Sequence, residues 1–129
     1  YGMAGTRIIL LVEDEPLLAN LLKQRLEKEG VSVILCRDGE EALKTLRETK
    51  PDLILLDIIL PKISGFELME TLKADPQFEN APIIIISNLG QDSDVQRGQA
   101  LGAIQYFVKA KVSIEELVEH VKGFLRQNN

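Results

Sequence analysis

The sequence contains little that would place this protein in a membrane or in an oxidising compartment. Cys36 is its single cysteine, so no disulfide can form within the chain, and we expect it to be a small buried side chain in a strand. The longest apolar runs have four or five residues, far fewer than the ~18 that suggest a transmembrane helix. No basic segment followed by an apolar stretch, the mark of a secretory signal, opens the chain. We therefore expect a cytoplasmic protein that does not enter the membrane.

The chain also lacks a cluster of basic residues. Its 15 Lys and Arg residues are outnumbered by 20 Asp and Glu residues, which gives a net charge of −5. The isoelectric point calculated from the sequence is about 4.9. Direct binding to DNA or RNA needs a basic face that can neutralise phosphates. The charge balance therefore argues against a protein that binds nucleic acid directly.

The length of 129 residues suits one domain with a sizeable core. Tyr1 and Gly2 precede Met3, a residue that can start a natural chain. We therefore expect residues 1–6 to be a disordered remnant outside the fold. We expect residues 7–127 to form a single domain, with no effector domain in the chain.

Short β-branched apolar runs alternate with amphipathic segments along the sequence. The runs cover residues 8–12, 31–36, 53–56, 83–86 and 104–108. After the first run, Pro16 can occupy the first turn of a helix that ends before Gly30. Leucines spaced as on one helical face follow this proline: Leu17, Leu18, Leu21, Leu22 and Leu26. Repeated strand and helix units of this kind predict an α/β domain with helices packed around a parallel sheet.

Three helix starts carry a short polar side chain followed three residues later by Glu. This spacing lets the first side chain accept a hydrogen bond from an early helical N–H group while the Glu side chain reaches back. The pairs are Asp38 with Glu41, Ser64 with Glu67, and Ser113 with Glu116. They predict where the second, third and fifth helices begin.

The fourth helical segment, about residues 92–101, differs from the others in its composition. Val95, Ala100 and Leu101 are its only clear apolar contacts, and Gly98 lies inside it. Its helix propensity is low and its apolar face is narrow. We expect it to be the least stable helix and the candidate for a moving element.

Charged residues follow three of the apolar runs at the point where each predicted strand ends. Glu13 and Asp14 follow the first run, Asp57 follows the third, and Lys109 follows the fifth. Because the carboxyl ends of parallel strands meet at one edge, where open α/β sheets bind their ligands, we expect these side chains to converge. A carboxylate at the end of a strand that is buried on both faces destabilises the fold unless it has a charged partner, so an acid at this place indicates such a partner or a function. The acids offer the hard oxygen ligands that suit Mg²⁺.

These features, in this order, resemble the receiver domain of the bacterial two-component response regulators. The resemblance covers nearly the whole chain, about residues 7–125, and rests on motifs that match one by one. The acidic motif is Leu11-Val12-Glu13-Asp14-Glu15, the loop after Asp57 is Leu60-Pro61-Lys62-Ile63-Ser64-Gly65, and the remaining matches are Ser87, Tyr106 and Lys109. The resemblance implies a flavodoxin-like, doubly wound fold with five parallel strands in the order 2-1-3-4-5.

The resemblance also implies a function, a phospho-acceptor switch that catalyses its own phosphorylation and dephosphorylation without being an enzyme in its own right. Asp57 is the expected phospho-acceptor, and its donor would be a phosphohistidine on a sensor histidine kinase or a phosphotransfer protein. The expected Mg²⁺ ligands are Glu13, Asp14, Asp57 and the backbone carbonyl of Ile59. Lys109 and Ser87 would contact the phosphoryl oxygens, and Ser87 and Tyr106 would couple phosphorylation to the surface of helix 4, strand 5 and helix 5. That surface would address an output partner that the sequence does not identify.

Four positions depart from the family pattern or carry its variable residues. Ala110 follows Lys109 where the family usually has proline, often after a cis peptide, so the sequence leaves open whether this peptide is cis or trans and how it places Lys109. Asn88 stands where a small residue is common and is expected to narrow access to the site. Ile59 and Leu89 lie where the family tunes dephosphorylation, and both are apolar. We therefore expect a long-lived phosphorylated state.

Other functions are weighed against this interpretation. The alternative is a catalytically silent receiver that acts as a protein-interaction module. Such a receiver would be expected to lack part of the acidic triad, and this sequence has all of it. A hydrolase of the haloacid dehalogenase kind would need an Asp-x-Asp pattern, whereas Ile58 and Ile59 follow Asp57. Neither a Walker loop nor a G-x-G-x-x-G motif follows a strand, which disfavours a nucleotide-binding enzyme.

Overall fold

The computed structural model describes residues 5–78 and 81–128, in which strands and helices alternate. The strands are β1 (Ile8–Val12), β2 (Ser32–Cys36), β3 (Leu53–Leu56), β4 (Ile83–Ser87) and β5 (Gln105–Val108). The helices are α1 (Pro16–Glu27), α2 (Gly39–Glu48), α3 (Gly65–Ala74), α4 (Asp92–Ala100) and α5 (Ile114–Gln127). Short 3-10 turns at Pro76–Phe78 and Lys109–Lys111 precede β4 and α5. Of the expected N-terminal remnant, residues 1–4 lie outside the described part.

The five strands form one parallel sheet in the order β2-β1-β3-β4-β5. This confirms the predicted doubly wound α/β fold. The register sets Leu11 of β1 beside Leu35 of β2 and Leu55 of β3, so the carboxyl ends of these strands lie together. Parallel strands of this kind need crossover connections, which the helices supply.

Alternate residues of each strand point to opposite faces of the sheet, and both faces are covered. On one face, Leu10, Ile54 and Ile85 pack into a core with α2 and α3, and residues at the end of α4 adjoin it. On the other face, Leu11, Leu55 and Ile84 pack with α1 and α5. This two-sided burial is why the strands are continuous apolar runs rather than alternating ones. Cys36 is buried in β2, as predicted.

The predicted helix caps are present at all three starts. The side chain of Asp38 accepts a hydrogen bond from the N–H of Glu41 at 2.8 Å. Ser64 and Ser113 each form the complete reciprocal box with the Glu three residues on. Caps of this kind satisfy N–H groups that have no partner inside the helix, each contributing roughly 1 kcal/mol.

Two expectations about apolar helix faces are wrong. In α1, Leu22 and Leu26 are buried together with Ala19, whereas Leu17 is 88% exposed and Leu21 is 41% exposed. The leucine stripe is thus wider than the surface that the sheet and α5 cover. In α4, Ala100 is exposed and the buried residue is Gly98. Val95 and Leu101 are half-buried.

Gly98 is the point at which α4 comes closest to the sheet. A Cβ atom added there would lie 2.7 Å from Cδ1 of Ile85 and 2.9 Å from Cδ2 of Tyr106. Glycine therefore allows a close approach that a larger residue would prevent. The neighbouring residue Arg97 places its guanidinium carbon 4.4 Å from the ring centroid of Phe66 in α3. Between them these contacts hold a helix whose apolar face is small.

Within the described ranges, none of the helices has both the length and the apolar character that crossing a membrane requires.

Candidate functional site

The charged residues predicted to converge do so at the carboxyl edge of the sheet. Asp57 directly follows β3, and its N–H donates to the carbonyl of Val12 in β1 at 3.0 Å. The N–H of Glu13 donates to the carbonyl of Cys36 in β2, also at 3.0 Å. These backbone hydrogen bonds continue the sheet by one residue beyond its strands. They fix the backbone of Asp57 and Glu13 at this edge independently of any side-chain contact.

Glu13, Asp14 and Asp57 each present a carboxylate oxygen to the same small volume. These three oxygens lie within 4.8 Å of one another. Glu13 is fully buried, Asp57 is 2% exposed, and Asp14 is half-buried. A cluster of hard oxygen ligands with this spacing could hold a divalent metal ion.

Lys109 places its ammonium group among the carboxylates. Its Nζ atom lies 2.8 Å from Oδ2 of Asp57, 3.0 Å from Oε1 of Glu13 and 3.3 Å from Oε1 of Glu15. The Lys109–Ala110 peptide, which the sequence leaves open between cis and trans, is trans, since the described residues contain no cis peptide bond. Lys109 makes these contacts with that peptide in the trans form.

The electrostatics of the cluster reflect its burial. Burial and, after it, the negative charge of Asp57 raise the pKa of the Glu13 carboxyl from 4.5 to about 7, although hydrogen bonds from Glu15 and Lys109 act to lower it. Burial alone would lower the pKa of Lys109, but hydrogen bonds and charges from Asp57 and Glu13 outweigh it and raise that pKa. Oε1 of Glu13 is fully buried, and the contact that the described residues give it is the ion pair of 3.0 Å with Lys109 Nζ. The site therefore contains a buried acidic oxygen that depends on one cation for its compensation.

Ser87 and Tyr106 are linked through the backbone of Leu89. Oγ of Ser87 accepts a hydrogen bond from the N–H of Leu89 at 3.2 Å. The hydroxyl of Tyr106 donates to the carbonyl of Leu89 at 2.6 Å. Ser87 is fully buried and Tyr106 is half-buried. The β4–α4 loop thus connects the end of β4 with the ring that packs against Gly98.

The loop between β3 and α3 folds back closely onto Asp57. The N–H of Ile59 donates to Oδ1 of Asp57 at 3.1 Å, while the Ile59 side chain is 51% exposed. The first residue of α3, Gly65, donates its N–H to the carbonyl of Ile58 at 2.8 Å. A Cβ atom at Gly65 would lie 2.5 Å from the carbonyl oxygen of Asp57, so only glycine fits there. The carbonyl of Ile59 as a metal ligand stays a prediction.

Not every predicted site residue contacts the cluster. Asn88 is exposed on the rim, and Leu89 contacts Ser87 and Tyr106 through its backbone. Glu15, by contrast, reaches Lys109, although the sequence assigns it no role. Its position in the acidic run after β1 was the signal that could have found it.

Comparison with known proteins agrees with this geometry. A family model described as the response regulator receiver domain matches residues 9–122. The phosphate regulon transcriptional regulatory protein PhoB of Rhizobium meliloti is 44% identical over 119 residues, which are 92% of this chain and 52% of that protein. The polar-differentiation response regulator DivK of Brucella ovis is 33% identical over 120 residues, which are 93% of this chain and 97% of that protein. The chain thus spans about half the length of PhoB and nearly the whole of DivK.

Solved structures lead to the same family. The crystal structure of the phosphorylated cyanobacterial phytochrome response regulator RcpA is similar with a TM-score of 0.80 and 31% identity. The similarity covers 93% of this chain and 91% of that one. This chain belongs to the family of response regulator receiver domains, which are signalling domains of two-component systems.

Proposed function

We propose that this chain is a Mg²⁺-dependent phospho-acceptor switch in which Asp57 receives a phosphoryl group from a phosphohistidine. The observation that carries the proposal is the salt bridge of 2.8 Å between Asp57 and Lys109 inside the acidic cluster. A structural acid would need only the lysine. Here two further acids share the same volume, an arrangement that is costly for stability alone and useful for phosphoryl transfer.

In the proposed step, a carboxylate oxygen of Asp57 attacks the phosphorus atom of the donor. The O–P bond forms, the P–N bond of the phosphohistidine breaks, and its electron pair returns to the imidazole nitrogen. Lys109 would donate a charged hydrogen bond to a phosphoryl oxygen. Ser87 accepts its present hydrogen bond from Leu89, so its own O–H could donate to a second phosphoryl oxygen. The same groups would serve hydrolysis, which makes the chain catalytic toward its own phosphorylation and dephosphorylation.

The residues present fit a magnesium ion. Glu13, Asp14, Asp57 and the backbone carbonyl of Ile59 would hold it, and the carboxylate oxygens of the three acids, which lie within 4.8 Å of one another, support this assignment. When bound, Mg²⁺ supplies positive charge that offsets the repulsion between the carboxylates and an anionic phosphoryl group.

The proposed output is a change in the surface formed by α4, β5 and α5. If Ser87 turns toward the phosphoryl group, its hydrogen bond with Leu89 changes, and Leu89 also accepts from Tyr106. The Tyr106 ring packs against Gly98, so a movement of the loop can be passed to α4. A phosphoryl group shifts such an equilibrium only through contacts that differ between the two states. An output partner would recognise the changed surface.

We propose a sensor histidine kinase or a phosphotransfer protein as the donor. Receiver domains take phosphate from histidine kinases, and RcpA was solved in its phosphorylated form. Leu17 supports a protein donor because it is 88% exposed and lies two residues after Glu15, whose carboxylate contacts Lys109. An exposed apolar side chain at the start of α1 could bind a partner without adding negative charge.

The proposal is tested by the melting temperature with and without Mg²⁺ plus beryllofluoride, a mimic of the acyl phosphate. At one hundred times Kd, such a ligand should stabilise the native state by about 2.7 kcal/mol, a shift of roughly 8 °C. We expect the shift in the wild type and not in Asp57→Asn. Asp52 directly precedes β3, as Asp57 directly follows it, so Asp52→Asn is the matched control and should keep the shift. No shift in the wild type would contradict the proposal and favour a silent interaction module.

A further inference from the structure

The proposed phosphoryl transfer assigns no role to Glu15, although its carboxylate contacts Lys109. The ammonium of Lys109 is surrounded by three carboxylates, those of Glu13, Glu15 and Asp57. Glu13 and Asp57 also belong to the group of acids that could hold a metal, and Glu15 does not. Its carboxylate is half-exposed, with a distance of 3.3 Å to Nζ of Lys109.

The backbone of Glu15 holds that carboxylate in place. Glu15 is the residue that caps the start of α1, and its carbonyl accepts from the N–H of Ala19 at 2.9 Å. Its N–H donates to Oε2 of Glu13 at 3.1 Å. Short polar side chains at a helix start normally accept hydrogen bonds from N–H groups of the first turn, but the longer side chain of Glu15 makes no such hydrogen bond. It turns away from its own helix and toward Lys109 instead.

We propose that Glu15 is a positioning residue that holds Lys109 and competes with the phosphoryl group for it. This inference rests on the proposed function. An ammonium group has three N–H donors, and three carboxylates surround it here. A phosphoryl oxygen on Asp57 must therefore displace one of them. Glu15 is the acid free to give way, since its carboxylate is half-exposed and the other two are buried.

The charge of Glu15 acts in opposite directions on the two ligands of the site. It attracts a divalent cation held by the neighbouring acids. It repels an anion on Asp57, because both carboxylates contact the same ammonium group, with Nζ of Lys109 3.3 Å from Glu15 and 2.8 Å from Asp57. The charge of a half-exposed carboxylate such as that of Glu15 changes the binding constant of a nearby charged ligand roughly two- to fivefold. Glu15 thus favours the metal-bound, unphosphorylated state over the phosphorylated one.

The test is Glu15→Gln, which removes the charge and keeps the size of the side chain. Two dissociation constants are measured, that of Mg²⁺ alone and that of beryllofluoride at saturating Mg²⁺. We expect Mg²⁺ to bind roughly two- to fivefold more weakly and beryllofluoride to bind tighter by a similar factor. The ¹⁵N signal of the Lys109 ammonium should also move in the free variant. Glu15→Asp keeps the charge, so its two constants should lie nearer to those of the wild type.

Glu29→Gln is the matched control. It makes the same change in net charge at an exposed acid that pairs with Lys122 at 3.1 Å, away from the site, and it should leave both constants and the Lys109 signal unchanged. The inference is overturned if both constants of Glu15→Gln move in the same direction, as a merely structural effect would require. It is also overturned if neither moves while the wild type binds beryllofluoride, a result that leaves the proposed function intact. Failure of the wild type to bind beryllofluoride overturns both.

Discussion

Replacement of Glu13 by Gln should stabilise the metal-free protein at high pH, although it removes a partner of Lys109. The folded protein holds the Glu13 proton up to about pH 7, whereas the unfolded chain releases it near pH 4.5. Between these values the folded state binds more protons than the unfolded state. The free energy of unfolding therefore falls as the pH rises through this window.

The size of the effect follows from the two pKa values. The interval from 4.5 to about 7, at about 1.4 kcal/mol for each tenfold change in proton affinity, corresponds to about 3 kcal/mol. The effect is complete near pH 8 and below about 1 kcal/mol near pH 5, where folded Glu13 is still protonated. Glu13→Gln cannot ionise. It should gain up to about 3 kcal/mol over the wild type near pH 8 and much less near pH 5.

The assay is urea unfolding in the presence of a chelator, followed by far-ultraviolet circular dichroism at both pH values. Glu29→Gln, which changes the charge at an exposed acid, should behave as the wild type does at both. Added Mg²⁺ should stabilise the wild type near pH 8 more than it stabilises Glu13→Gln. The reasoning is refuted if Glu13→Gln is less stable than the wild type near pH 8, or if both show the same dependence on pH.

Three further predictions concern the switch region and the lifetime of the phosphorylated state. Gly98→Ala should lower the free energy of unfolding by about 1–3 kcal/mol and shift the fluorescence of Tyr106, because the new Cβ would overlap that ring. Gly123→Ala in α5 is the control. A Cβ at Gly123 would enter open space, so this variant should be as stable as the wild type or slightly more stable. Amide hydrogen exchange should be faster in α4 than in α5, because α4 buries one residue and α5 buries four, and equal protection would contradict this. Ile59→Asn should shorten the half-life of the phosphorylated state several-fold, as measured by loss of the acyl phosphate, because a polar side chain beside Asp57 can orient water; an unchanged half-life would count against it.

Much of the fold can be predicted because the signals are local. The reciprocal caps at Ser64 and Ser113 depend on residues three apart, which any helix start brings together. The apolar runs indicate strands buried on both faces, and α/β alternation leaves few arrangements for them. The convergence of Glu13, Asp57 and Lys109 then follows from their places at strand ends.

The rest depends on contacts between distant parts of the chain. Leu17 and Leu22 are both apolar residues of α1, and only the width of the surface beneath that helix decides which one is buried. Gly98 is buried because Tyr106, eight residues later, occupies the neighbouring space. The approach of Glu15 to Lys109 joins the start of α1 with the end of β5. No periodicity in the sequence reports distances of this kind.

The central claim is that Asp57 accepts a phosphoryl group with the help of a divalent cation. It is tested most directly by incubating the protein with acetyl phosphate and Mg²⁺ and locating the modified residue by borohydride reduction and peptide mass spectrometry. We predict one modified residue, Asp57, labelled with Mg²⁺ and not with a chelator. Labelling at another residue, or no labelling under conditions in which beryllofluoride binds, would contradict the claim.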